Sequence, residues 1–209
     1  MKIRIPVVVL IPIIIVIAVL CTRCAKKDNE VKEENAQKIE TVSRGEWNEN
    51  QYNNDFIKLK FNLQNGWNKY SDEELAKLMN IEEEKLHRGA TEIAELAEKQ
   101  PVHVMVVNDP STGAKVMIML EKVTSEINEE RYVNKLKRQL EADKTMNNEV
   151  SKIYTEMISN IEYKALKVEM YDYNTEQIYY IRKQGEYIIN IVITTAQEGQ
   201  QEQILKYFE

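Results

Sequence analysis

Residues 164–195, KALKVEMYDYNTEQIYYIRKQGEYIINIVITT, decide the fold. Three runs rich in β-branched and aromatic residues, 164–173, 177–183 and 186–195, are separated by Asn174-Thr175-Glu176 and Gln184-Gly185. Such residues suit a pleated, half-buried surface, and short polar breaks between them mark hairpin turns. The stretch predicts an antiparallel meander. Within its first run, alternation places Tyr171 and Tyr173 on one face.

Working outward, Val102–Asn108 and Lys115–Val123 predict two more strands, joined by the hairpin loop Asp109-Pro110-Ser111-Thr112-Gly113. Both are apolar at most positions and are expected to be central. Asn128 is placed to cap a helix running to about Asp143, with Val133, Leu136 and Leu140 inward. Residues 150–158 fit two periods: Val150, Ile153, Tyr154 and Met157 a helix, or Ser151, Ile153, Thr155 and Met157 one strand face.

Further upstream, Ile57, Leu59, Phe61 and Leu63 alternate with Lys58, Lys60 and Asn62, which predicts a strand with one buried face. Gln64-Asn65-Gly66 is a turn. Ser71-Asp72-Glu73-Glu74 is a capping box that opens a helix with Leu75, Leu78 and Met79 inside, and Gly89 is expected to end or kink it. Residues 90–99 continue helically on Ile93, Leu96 and Ala97 until Pro101. Residues 197–208 form a closing helix on Ile204, Leu205 and Phe208. Hairpins interrupted by helices give an α+β class, an antiparallel β-sheet covered by helices. No internal repeat is visible.

The amino-terminal segment has a different chemistry. Ile5 to Leu20 reads IPVVVLIPIIIVIAVL, flanked by Lys2 and Arg4 on one side and Arg23, Lys26 and Lys27 on the other. With Cys21 and Thr22 it supplies roughly 16 to 18 residues, the lower limit for a helix spanning about 30 Å of hydrocarbon. The leading reading is a retained anchor helix over residues 1–24, with Ile5, Leu10, Ile15 and Leu20 in the lipid. A cleaved secretory signal and a lipoprotein signal acylated at Cys21 or Cys24 are the alternatives. Leu20 before Cys21 and Arg23 before Cys24 fit neither a small-residue cleavage site nor a lipobox. A short tail before a long domain favours a cell-membrane protein, single-pass or lipid-anchored, with its domain extracytoplasmic. Residues 25–46 have mixed charge and few large apolar side chains, and are expected to be a solvated tether. The globular domain is then 47–209.

Composition narrows the partners. The 209 residues carry 28 Lys+Arg and 34 Asp+Glu. Once Lys2, Arg4 and Arg23 are set aside, residues 25–209 hold 25 basic and 34 acidic residues, a net charge of -9. That balance argues against nucleic acid and against lying flat on anionic lipid. Two Cys exclude a disulfide-built scaffold. Cys21-Thr22-Arg23-Cys24 has neither a βαβ context nor a second ligand pair for zinc.

The pattern Tyr52-x-Asn54-x-x-Ile57-x-Leu59-x-Phe61-x-Leu63-x-x-Gly66-Trp67 resembles the opening of anchored lipoprotein-like domains of Gram-positive bacteria, which are similar to the PsbP/Mog-type fold. The closing stretch, Tyr180-Ile181-Arg182-Lys183-Gln184-Gly185-Glu186-Tyr187 with Ile188–Thr195 and a short helix, is similar to that group as well. The resemblance covers most of residues 47–209. It implies an antiparallel sheet covered by helices and strand for residues 150–158. It implies no shared catalytic residues, and its members serve varied roles, so it leaves function open.

Catalytic chemistry finds little support. His87 and His103 are the two histidines and lack ligand spacing, so no metal and no cofactor are expected. There is no G-x-S-x-G elbow, no phosphate-binding loop, and Ser111 reads as a turn residue. The runs Asp72-Glu73-Glu74 and Glu82-Glu83-Glu84 read as solvated helix faces and not as an acid/base pair. Met105, Met117 and Met119 read as core filler.

The tyrosines are the distinctive feature: 11 Tyr against 3 Phe and 2 Trp. Tyr171, Tyr173, Tyr179, Tyr180 and Tyr187 gather in the meander. Cross-strand packing explains such residues, and so does a partner surface, because Tyr joins an apolar ring to a polar tip. The leading expectation is a non-catalytic envelope module that binds another envelope protein through these tyrosines. A small-ligand or glycan binder is the second reading, and an enzyme built on carboxylates and Tyr the third.

Overall fold

The computed structural model describes residues 41–87 and 89–209, and there the alternating stretches pair as antiparallel strands. β1 (Glu46–Asn48), β2 (Gln51–Asn54) and β3 (Leu59–Asn62) make a small three-stranded sheet in that order. The strand expected from Ile57 to Leu63 is shorter than its alternation suggests. Asn54 Oδ1 accepts the Ile57 N–H at 3.2 Å, and Lys58 turns through φ +56°. This side-chain-closed turn wins over strand extension, so Phe56 and Ile57 are buried from a loop.

β4 (Asn68–Lys69) leads to α1 (Asp72–Met79), opened by the expected capping box: Ser71 Oγ accepts from Glu74 N at 3.2 Å, and Glu74 Oε2 accepts from Ser71 N at 2.7 Å. The helix ends earlier than expected. Asn80 takes the left-handed conformation and its N–H bonds back to Ala76 and Lys77, a role Asn fills where Gly is absent. Gly89, at φ +94°, instead precedes α2 (Ala90–Lys99), and a 3₁₀ turn, Glu83–Leu86, lies between the helices.

β5 (Val102–Asn108) and β6 (Lys115–Lys122) form the expected hairpin. α3 (Glu129–Ala142) starts on Asn128, whose Oδ1 accepts the Arg131 N–H at 2.9 Å. The ambiguous stretch is strand: β7 (Asn148–Val150) and β8 (Tyr154–Ile158) pair in succession along one edge of β9 (Ile161–Met170). A 3₁₀ turn, Tyr171–Tyr173, then β10 (Thr175–Gln184), β11 (Tyr187–Thr195) and α4 (Gln200–Leu205) complete the order. α4 is shorter than the helix expected over 197–208, because Tyr207 to Glu209 turn to pair with β3.

The large sheet runs β4-β5-β6-β11-β10-β9-β7, with β8 also on β9. Its two faces follow from register. Tyr163, Ala165, Ile178, Tyr180, Ile189, Ile191, Ile193, Val116, Ile118 and Leu120 share one face and join a core with β2, β3, α1, α2 and α4. Leu166, Val168, Met170, Tyr179, Ile181 and Val192 share the other, over which α3 lays Tyr132, Val133, Leu136 and Leu140. Each fully buried large side chain contributes about 1.5–3 kcal/mol. Met105 is in the core as expected, while Met117 and Met119 are half-buried.

The fold opens ahead of Trp47. Val42 is buried, and Arg44 donates to Leu86 O at 3.1 Å and to Asp72 Oδ1 at 2.5 Å. The last residues of the tether expected over 25–46 are thus part of the packed unit. The anchor residues Ile5, Leu10, Ile15 and Leu20, the thiols Cys21 and Cys24, and tether residues 25–40 lie outside the described residues. Among the described residues no helix is long and apolar enough to cross a membrane.

Candidate functional site

β10, β11 and the 3₁₀ turn between β9 and β10 carry the five tyrosines to different places. Tyr179 and Tyr180 are sequence neighbours on a strand and therefore point to opposite faces, and both faces are covered. Tyr179 donates to Gln177 Oε1 at 2.7 Å on the α3 side. The Tyr180 hydroxyl accepts from Gln201 of α4, and burial raises the pKa of both phenols. Neither belongs to a partner surface. The clustering of tyrosines in the meander suggested a surface, but this sheet is covered on both faces at their position.

Tyr187 is half-buried and meets Phe56 edge-to-face, ring centroids 5.4 Å apart. It pairs with Gln184, at the opposite end of β10 from Thr175. Ten strand residues separate those ends by about 30 Å. Tyr187 is thus remote from Tyr171 and Tyr173.

Tyr171 and Tyr173 stay exposed, at 50% and 48%. They stand on the 3₁₀ turn between β9 and β10 and not on one strand face. The turn is held from three sides. The Tyr171 N–H bonds to Asn147 O at 3.0 Å, the Asn147 N–H to Asp172 Oδ2 at 3.2 Å, and Asn174 closes the turn in the left-handed region.

Beside this turn the registers bring together residues that sequence reading missed. Glu149 of β7 stands opposite Glu169 of β9, which stands opposite Glu176 of β10. Three carboxylates lie abreast on one sheet face. Lys167 bonds Glu169 at 2.7 Å and Glu176 at 2.9 Å, which raises the ammonium pKa. Tyr171 donates to Glu149 Oε2 at 2.7 Å, with Glu169 Oε2 at 3.4 Å. This bond to the Glu149 carboxylate holds the phenol proton on and pushes the Tyr171 pKa up to about 12. Alternation places each Glu on a face, but the row exists only through pairing across three strands, which no local pattern encodes.

Several other titratable groups are paired or buried elsewhere. Asp72 is bound by Arg44, which lowers its pKa, and His87 lies 3.5 Å from Asp72 and 3.5 Å from Glu83. Glu73 pairs with Lys77, and Glu82 with Lys85. Burial, aided by Lys115, lowers His103 to about 4, and its Nδ1 has no partner. Glu121 is buried on the α3 side and accepts the Tyr132 hydroxyl proton at 2.6 Å, and burial raises its pKa. Among the described residues no group of His, Cys, Asp or Glu is placed to hold a metal ion. A shallow hollow of about 540 Å³ is lined by Leu63, Trp67, Asn68, Lys69, Tyr70, Glu74 and Asn108.

No protein-family model matches the chain, and no curated protein matches it. Among solved structures, the chain is similar to the solution structure of cyanobacterial PsbP (CyanoP) from Synechocystis sp. PCC 6803. The identity is 11% and the TM-score 0.45, over 76% of this chain and 90% of that one. The α+β class rests on the strands and helices themselves.

Proposed function

We propose that the protein is a membrane-anchored, extracytoplasmic, non-catalytic module of the bacterial cell envelope that works by binding another envelope protein. The observation that carries the reading is the exposed pair Tyr171 and Tyr173 on a turn fixed by backbone bonds. Large aromatic side chains held in place at a surface lose little entropy on binding and supply most of the contact energy in many interfaces. Residues 1–24 supply the anchor in this reading. In-cell crosslinking of the full-length protein, followed by mass spectrometry, tests it. One dominant protein partner is expected; capture of no protein sinks the reading. A reporter fused after Arg23 tests the orientation separately, and a cytoplasmic signal would overturn the extracytoplasmic placement.

The hollow that Trp67 and Tyr70 help to line favours a second reading, a small-ligand or glycan binder. Aromatic rings beside Asn68, Asn108 and Lys69 suit a polar ring compound. A ligand that binds the native state raises the melting temperature. Failure of cell-wall oligosaccharides to shift it would retire this reading.

A further inference from the structure

We infer that the corner formed by the Tyr171–Tyr173 turn and the ends of β7, β9 and β10 docks a basic, lysine- or arginine-bearing segment of a partner protein. This deepens the protein-binding reading above and rests on it. Like charges directly opposite one another in a sheet are destabilising. Here Glu149, Glu169 and Glu176 stand in one row, and the single ammonium of Lys167 serves the last two. Glu149 meets the Tyr171 hydroxyl, a neutral donor, and among the described residues it has no cationic partner within 4 Å.

Asp172 adds a fourth carboxylate in the turn itself, where it also fixes the Asn147 backbone. Tyr171 and Tyr173 are two of the three large apolar side chains exposed among the described residues, the third being Met157. Aromatic faces next to carboxylates fit cationic side chains. The ring takes the charge from above or packs the methylene stem, while the carboxylate takes the head. The net charge of -9 over residues 25–209 attracts a basic partner at longer range and repels an acidic one.

The test uses full-length protein in a neutral detergent and a fluorescein-labelled peptide of six lysines alternating with glycine, followed by anisotropy. Saturable binding that weakens with added salt is expected. The double variant Glu149→Gln/Glu176→Gln keeps the shape and removes two charges. It should weaken binding about fivefold, the loss of two exposed ion pairs. Tyr173→Ala should weaken it as well. Glu82→Gln/Glu84→Gln removes the same charge from a different acidic run and should change binding less than about twofold. Unchanged melting temperatures would show that every variant folds.

Equal weakening by both double variants, or no saturable binding, overturns the assignment. If that happens while crosslinking still captures one protein through another face, the docking corner is wrong and the protein-binding reading stands. If crosslinking captures no protein, the reading itself falls.

Discussion

Gly45 sits at φ +71°, and a Cβ there would lie 2.6 Å from Asn53 O and 2.8 Å from both Asn54 Cβ and the Tyr52 ring. Conformation and space both demand glycine. Gly45→Ala should cost about 3 kcal/mol, the sum of a left-handed backbone and a core-edge overlap, read from the denaturant midpoint. Two buried titratable groups make opposite predictions. The raised pKa of Glu121 means that its stabilising contribution is full below 4.5 and is lost as pH rises through the folded value. Glu121→Gln still accepts the Tyr132 hydroxyl bond, so the variant should gain on wild type in thermal melts as pH climbs through and beyond the raised folded value. His103 is lowered from 6.5 to about 4, so its contribution is present above 6.5 and is lost as pH falls toward 4. An NMR titration of its ring should give a midpoint near 4; a midpoint at or above 6.5 would place the ring in solvent. The sequence shows neither environment, because burial on the α3 face or beside Lys115 is a property of the sheet and not of any window of residues.

At the scale of elements, β3 depends on the end of the chain. Lys60 and Glu209 exchange both backbone bonds, at 2.9 and 3.0 Å, and Asn62 N–H reaches Tyr207 O at 2.8 Å. Phe61 sits among Phe208, Tyr207 and Trp67, with ring centroids 5.0, 6.2 and 6.4 Å away. Phe208→Ala should cost about 3–4 kcal/mol and loosen this outer strand, seen as faster hydrogen exchange at Lys60 and Asn62. Alternation and caps made most elements legible: the meander, the central hairpin, the Asn128 cap and the Ser71 capping box follow from local residue chemistry. Local competition defeated the rest. Asn54 closes a turn where alternation predicted strand, and Asn80 ends a helix ahead of the glycine that looked like its stop. Asn54 outweighs the hydrophobic period through its side-chain bond to the backbone, and Asn80 through its tolerance of the left-handed conformation.

For the whole molecule, the partition of the tyrosines was not legible. Five aromatic residues within 17 positions look like one surface. Two helices and a second sheet then cover Tyr179 and Tyr180, distance removes Tyr187, and two remain. The start of the folded unit was equally hidden, since Val42 and Arg44 make their contacts with residues distant in sequence. A chain cut to residues 47–209 should therefore melt lower than one cut to 41–209. A loss of about 2–4 kcal/mol is expected from the missing Val42 packing and the unpaired Asp72. Equal melting temperatures would return residues 41–46 to the tether.

The pairing of β3 with residues 207–209 also sets a clock. A polypeptide emerges amino-terminus first, and Phe61 cannot find Phe208 until almost 150 further residues have been made. The small sheet must wait, partly formed, for residues 207–209. A chain that postpones the completion of its first sheet in this way keeps Phe61 and its neighbours reachable by other molecules for most of its synthesis, so the order of manufacture and the order of packing run opposite to one another.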